Sequence, residues 1–427
     1  MVNRPLNILY LAHRIPYPPN KGEKIRSFHQ IRRLATRHRV FLGCVIDDRD
    51  DLAYVSTLEK WCVKVETMTR SRLGAAWKMV EALATGQPLS TAPFRSPDLE
   101  RRIRALLAAE SIDCVVVYSS AMAWYVRDLV DVPVIVDFVD VDAEKWRAYA
   151  ESRPAPLSWV YRREATCLTA HDREVAKRCD HAVVVSQAEA DVFRRCIEDR
   201  VVSVISNGVD LEYFHPPTEG PAVDPAPVLV FTGVMDYWPN VDAVSWFASE
   251  VFPAVQAASP DARFVIVGRR PTTAVSSLGA RPGVVVTGAV DDVRPFLAGA
   301  AVAVAPFRIA RGIQNKVLEA MAMGLPVVGT TLAFQGMAVG AEDGIRTADG
   351  AKGLAREIVF LLKNEDHRLV SGRRARAFVE RHHRWDHQLT ALETLLRTSV
   401  ARRVGTAVSA GHADQGAGIR AVNDGSR

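Results

Sequence analysis

Long apolar runs are missing from these 427 residues. None reaches the roughly eighteen needed to span a membrane, and the first apolar stretch, Ile8 to Ala12, is too short for a signal-peptide core, so a cytoplasmic protein is expected. Paired metal or disulfide spacings are missing too. The six cysteines at 44, 62, 114, 167, 179 and 196 show no C-x-x-C, and no histidines stand at finger intervals. Neither a zinc site nor a disulfide framework is indicated, and the thiols read as mostly core residues. No G-x-G-x-x-G joins a strand to a helix; Gly416-Ala-Gly418 lies in the tail. An NAD-dependent oxidoreductase is thereby set aside. The formal charge is only +5, with both signs interspersed over most of the length, which argues against a nucleic-acid binder.

What is present is a large chain with 24% charged and 48% hydrophobic residues, too long for one core and suited to two domains. Short apolar segments alternate with longer amphipathic ones. In the first half these are Leu6–Leu11, Arg39–Cys44, Cys114–Tyr118, Val134–Phe138 and His181–Val185. In the second they are Val228–Phe231, Arg263–Val267, Val284–Thr287, Val302–Ala305 and Pro326–Gly329. Such βα repetition predicts an α/β protein of two Rossmann-like, doubly wound domains facing across a cleft, with ligands at the carboxyl ends of the strands. The expected boundaries are 1–215, a linker over 216–227, 228–380, and a tail over 401–427 whose Gly, Ala, Ser and Asp content predicts disorder.

The most informative stretch runs from Arg311 to Val328 and reads as loop, helix and buried strand. Gly312 relaxes the turn into the helix, so that the N–H groups of Ile313, Gln314 and Asn315 can face an anion. Gly324 and Pro326 end the helix. Asn315, Lys316 and Glu319 share one helical face. Lys316 suits a phosphate, and the fork of the Glu319 carboxylate suits the paired hydroxyls of a ribose. A Lys316–Glu319 helix pair with no ligand accounts equally for those residues taken alone.

The segment resembles the nucleotide-binding signature of the retaining family 4 glycosyltransferases, which have the GT-B architecture. Phe231-Thr-Gly233, Val265-Ile-Val-Gly268, Asn207-Gly-Val-Asp210 with Tyr213-Phe214 and Pro216, and Ala303-Val-Ala-Pro306 stand in the order used by that family. The resemblance covers roughly residues 5 to 395. Most of the family has a glutamate eight positions before Glu319, near the sugar; here that position is Arg311. Arg311 therefore serves a different donor, reaches phosphate, or marks a subfamily that works without that carboxylate. The wording Arg-Gly-Ile-Gln-Asn-Lys-Val-Leu-Glu resembles the sugar transferases of exosortase-associated exopolysaccharide systems.

The resemblance implies a hexosyltransferase that moves a sugar from a nucleotide diphosphate to an acceptor hydroxyl with retention, by front-face attack and with no metal or other cofactor required. Catalytic roles would fall on Arg311, Lys316, Glu319 and Asp140. The family commonly places an Arg and a Lys after the glycine matching Gly233, and both are absent here, so Arg269, Arg308, Arg311 and Lys316 become candidates to neutralise the diphosphate. As surface residues near strand ends, the arginines have an ordinary reading as well. The segment Val286-Thr-Gly-Ala-Val290 resembles the one whose backbone meets the nucleobase, leaving UDP and GDP open. Residues 381–400 resemble the terminal helix that crosses back to the first domain.

In the first half, the loop His13 to Gly22 opens a helix, where Gly22 with Lys21, Lys24 or Arg26 could meet a diphosphate; a Pro-rich turn with surface lysines is the alternative. Asp137, Asp140, Asp142 and Glu144 gather at a strand's carboxyl end, either to orient the acceptor or, for Asp140 or Asp142, to cap the next helix. Asp140-Val-Asp142 also looks like the metal-binding Asp-x-Asp of the GT-A fold, as does Asp48-Arg-Asp50, a short pattern that arises easily by chance. Lys24, Arg26, Arg32, Arg33, Arg37 and Arg39, and Arg101, Arg102 and Arg104 near Trp77 and Phe94, form basic clusters. They read as solvated faces or as peripheral contact with the inner membrane face during work on a glycan or lipid-linked acceptor. Two other functions stay open: an epimerase or hydrolase of sugar nucleotides on the same scaffold, and a silent nucleotide-binding partner.

Overall fold

The computed structural model describes residues 4–197, 201–217 and 226–420, with side chains as far as 403. The chain forms two compact units. The first takes residues up to Val184, Ala190–Ile205 and everything from Leu389 on; the second takes Val185–Glu189 and Ser206–Gln388.

The first unit holds strands β1 (Asn7–Ala12), β2 (Arg39–Ile46), β3 (Lys64–Thr69), β4 (Cys114–Tyr118), β5 (Val134–Val139), β6 (His181–Val184) and β7 (Val202–Val204) in the order β3-β2-β1-β4-β5-β6-β7, all parallel. Val115, Val116 and Val117 are all fully buried, which is why these strands read as unbroken apolar runs and not as alternations. The order reverses direction between β1 and β4, so the carboxyl ends of those two strands flank the crevice where such sheets take ligands.

The second unit repeats the plan with β8 (Val228–Thr232), β9 (Arg263–Val267), β10 (Val284–Gly288), β11 (Val302–Ala305), β12 (Val327–Gly329) and β13 (Ile345–Thr347), ordered β10-β9-β8-β11-β12-β13 and also parallel. Its switch point lies between β8 and β11. The two Rossmann-like units are those expected, and β3, β7 and β13 are additions. They escaped notice because β3, Lys-Val-Glu-Thr-Met-Thr, is a half-buried edge strand, and β7 and β13 have three residues each.

Other expectations shift. The division falls between Ile205 and Ser206, not at 215. Hydrogen bonds explain this: Val209 N–H donates to His383 O, and the Arg376 guanidinium donates to the carbonyls of Phe214 and Leu211, all inside the second unit. Within the expected linker, 218–225 lie outside the described residues. Beyond it, the final helix spans Trp385–Arg420 and so enters the stretch expected to be disordered. Arg403 holds the Asp180 carboxylate at 3.0 Å and donates to Val130 O at 3.0 Å. Residues 421–427 lie outside the described ones. The cysteines are free, with 44, 62, 114 and 179 buried and 167 and 196 half-buried. Among the described residues no helix is long and apolar enough to cross a membrane.

Candidate functional site

At the β8–β11 switch point of the second unit, the segments that follow β8 and β9 approach closely, and each carries a glycine there. A Cβ on Gly268, after β9, would stand 1.6 Å from Gly233 O; one on Gly233, after β8, would meet Asn240 Nδ2 at 2.8 Å and Lys316 Nζ at 3.1 Å. Into the room thus left, Lys316 brings its ammonium, which donates to Asn240 Oδ1 at 2.6 Å and lies 4.8 Å from the ring centres of both Phe231 and Phe307. Asn240 is itself fixed by donating to Val234 O at 2.8 Å. The two aromatic faces and one amide oxygen suit a cation, but they are neutral.

Lys316 belongs to helix Asn315–Ala322, whose Val317 and Leu318 N–H groups both return to Gln314 O. The N–H groups of Ile313, Gln314, Asn315 and Lys316 therefore precede the helical ladder and carry its positive end. Gly312 has φ +60°, as the expected turn requires, and Gly336 packs so near that a Cβ there would be 2.3 Å from Gly312 O. Gln314 braces the loop by donating to Arg311 O, and Asn207 donates to Asn315 Oδ1 at 2.9 Å.

One turn on, Glu319 is half-buried, and its carboxylate has no hydrogen bond or ion pair among the described residues. It does not close the helix pair with Lys316. Burial pushes the Glu319 carboxyl up to about 7 against the pull of the Lys316 charge, and burial pushes Lys316 down to about 7 against Glu319. Two opposite charges are thus held apart at one helix start, each short of solvation. Such an arrangement favours a ligand that is anionic at one end and offers hydroxyls at the other.

The remaining expected residues of this half divide. Arg311 stays beside the helix start, with Nη1 3.7 Å from the buried Glu189 carboxylate. Arg308 turns to Asp242, Nε to Oδ2 3.0 Å, and packs over Trp246. Arg269 is at the loop after β9, where its carbonyl accepts from Met235 N–H. Val290 is partly exposed after β10, two residues past Gly288 at φ +72°. Beside it stands a cluster not anticipated: Tyr213 donates to Asp292 at 3.3 Å, while Arg294 pairs with Asp292 at 2.7 Å and covers the Tyr213 ring at 4.0 Å. Asn240 was also missed. Its only signal was position, in the Trp-Pro-Asn that opens the helix after Gly233.

In the first unit, the structure removes two expected phosphate ligands. Lys24 is buried and pairs with Asp51 at 2.7 Å. Arg26 is fully buried and donates to Asp137 at 2.8 Å; Gln30 donates to the same carboxylate at 2.7 Å and accepts from Tyr10 at 2.6 Å. Asp137 is therefore a structural anion, not an acceptor ligand. Gly22 is exposed at the start of helix Gly22–Ala35, with Lys21 at the cap position. Asp140 is half-buried past β5, next to a strained Val139 at φ +65°. The cap of helix Asp142–Glu151 is Val141, not Asp140 or Asp142. Among the described residues, no group of three or more His, Cys, Asp or Glu is placed to hold a metal ion. The basic clusters are largely compensated, as in Arg101–Asp98 at 2.8 Å, Arg104–Glu100 at 2.8 Å and Arg37–Glu393 at 3.4 Å.

Residues 28–213 match the model of Glycosyltransferase Family 4, and residues 226–364 match that of Glycosyl transferases group 1. No curated protein matches the chain. Among solved structures, sucrose-phosphate synthase from Thermosynechococcus elongatus is similar at 17% identity and TM-score 0.71, over 93% of this chain and all of that one. HepE from Anabaena, in complex with UDP and glucose, is similar at 15% identity and TM-score 0.66, over 92% and 99%. WaaG, a glycosyltransferase involved in lipopolysaccharide biosynthesis, follows at 15% and 0.61, over 90% and 98%. At such identities the structures speak for the fold.

Proposed function

We propose that the chain is a glycosyltransferase of the GT-B type, a reading supported by the two family models and the fold, and that it moves a sugar from a nucleoside diphosphate to an acceptor hydroxyl with retention at the anomeric carbon. The observation that carries the donor reading is the unpartnered, half-buried Glu319 carboxylate beside Lys316 at the entrance of helix Asn315–Ala322. The helix N–H groups and Lys316 take the diphosphate, whose charge grows as it leaves; Glu319 takes the two ribose hydroxyls. Binding of an anion restores the Lys316 charge that burial weakens.

Arg311, held near Glu189, is the group proposed to stand by the sugar, where most of the family has a carboxylate. Arg269 lies at hand for the diphosphate, and the backbone at Val290 for the base. Arg308 is a weaker candidate because Asp242 already occupies it. The reaction is proposed to need no metal. Asp140 is kept as the acceptor-orienting group. The setting is surface-glycan or exopolysaccharide assembly of the exosortase-associated kind, on a glycan or lipid-linked acceptor. The proposed peripheral membrane contact now draws on exposed aromatic residues, Trp77 at 74% and Trp159 at 63% exposed, and not on the compensated basic clusters.

The test is turnover of UDP- and GDP-sugars with and without added acceptors, using product stereochemistry as readout. Donor consumed only with acceptor, giving the retained anomer, supports the proposal. Consumption without acceptor points to a hydrolase or epimerase. Nucleotide binding with no turnover points to a silent partner, the reading that Arg311 keeps open.

A further inference from the structure

Helix Leu157–Arg178 roofs a cavity of about 320 Å3 in the first unit that the reading above does not use. That volume is at the lower end of small-molecule pockets. Its floor is apolar and buried, built from Val126, Val134, Val136, Val175 and Cys179, whereas Gly86, Ala170, Glu174 and Arg178 on its lining are exposed and mark the opening. A cavity walled in this way repels water and accepts hydrocarbon.

Its polar side is cationic. Trp124, on the wall, is sandwiched by Arg95 at 4.3 Å and Arg127 at 3.9 Å from the ring centre. Arg127 is neutralised by Glu100 at 2.8 Å, and Arg178 by Glu174 at 2.6 Å. Arg95 differs: it donates to Gln87 and has no carboxylate at ion-pair distance among the described residues. Burial makes its own charge costly, the Glu81 charge offsets part of that cost, and the neighbouring Arg127 charge adds to it. An anion at Arg95 would relieve that cost.

The approach to the opening is apolar as well. Helix Arg72–Ala84 ends at the rim formed by Gly86, Gln87 and Pro88, and Leu73, Trp77, Val80 and Leu83 lie along one exposed stripe of it. Arg163, on the roofing helix, donates to the carbonyls of Ala82, Leu83 and Gln87 and so ties that helix end to the cavity. We propose that the cavity binds an amphiphile, with a prenyl or acyl chain in the apolar floor and an anionic head, phosphate or carboxylate, against Arg95. The site is separate from the nucleotide-sugar reading and does not depend on it.

The test is calorimetric titration of the full-length protein with farnesyl monophosphate, decanoate, farnesol and inorganic phosphate. Saturable binding of one equivalent of farnesyl phosphate or decanoate is expected, with the two arms separating phosphate from carboxylate heads, and inorganic phosphate should not bind. Arg95→Gln should weaken the charged probes at least tenfold and farnesol less than twofold. Ala170→Trp, which puts a bulky ring at an exposed position of the opening, should weaken every chain-bearing probe at least tenfold. Should either variant fold poorly, labelling of the wild-type Cys167 by a maleimide serves instead: this half-buried thiol lines the cavity, and a bound chain should slow its reaction. No binding by any chain-bearing probe, equal affinity in Ala170→Trp, unprotected Cys167, or inorganic phosphate binding as tightly as farnesyl phosphate would each overturn the proposal.

Discussion

Replacing Glu319 by glutamine should stabilise the empty protein while disabling its donor site. The carboxyl is pushed up from 4.5 to about 7, with burial the largest cause. That gap corresponds to about 3.5 kcal/mol at roughly 1.4 kcal/mol per pH unit, and partial exposure reduces it to about 1–2 kcal/mol. The sign follows from proton counting. Between 4.5 and about 7 the folded protein binds more protons than the unfolded chain, so its stability falls as pH rises through that window, and the whole cost is present above about 7. Glutamine keeps the shape without the charge. At pH 8 the amides of helix Asn315–Ala322 should therefore exchange hydrogen about 5 to 30 times more slowly in Glu319→Gln than in wild type, with the difference shrinking toward pH 5. The same variant should lose at least tenfold in nucleoside diphosphate affinity, since charge-assisted hydrogen bonds contribute about 1.5–3 kcal/mol each. Unchanged or faster exchange at pH 8 together with unchanged affinity would refute the reasoning.

Three other outcomes follow from particular contacts. Asp137→Ala leaves Arg26 charged and fully buried, and should cost the first unit about 3–5 kcal/mol in urea unfolding; a loss under 1 kcal/mol would show that water reaches the site. Lys316→Met should lower nucleotide affinity more than tenfold while Arg308→Ala, already held by Asp242, changes it less than twofold; calorimetry showing the reverse order would reassign the diphosphate ligand. Gly268→Ala must displace Gly233 O, 1.6 Å from the new Cβ, and should abolish nucleotide binding with little loss of helix content by circular dichroism.

The parallel architecture was legible because buried strands such as Val115–Val117 announce themselves as apolar runs, and helix Asn315–Ala322 because Gly312 and Gly324 punctuate it. Charge compensation was not legible. Lys24 and Arg26 look like any basic helix face, and only the fold brings Asp51 and Asp137 to them from distant positions. Pairing Lys316 with Glu319 was a fair reading of local spacing, yet Asn240 and the rings of Phe231 and Phe307 draw the ammonium elsewhere. The final helix misled in the opposite way: composition suggested a loose tail, while Arg403 fastens its start to Asp180. The short strands β7 and β13 carry too few residues for any period to register.

The most direct test of the central claim is a thermal-shift titration of the purified protein against UDP, GDP, ADP, TDP and NAD, each with and without magnesium. A specific rise in melting temperature with one nucleoside diphosphate, unaffected by magnesium and absent in Glu319→Ala, is the predicted result. A rise with NAD alone, or an equal rise in Glu319→Ala, would contradict the donor site argued from Lys316 and Glu319.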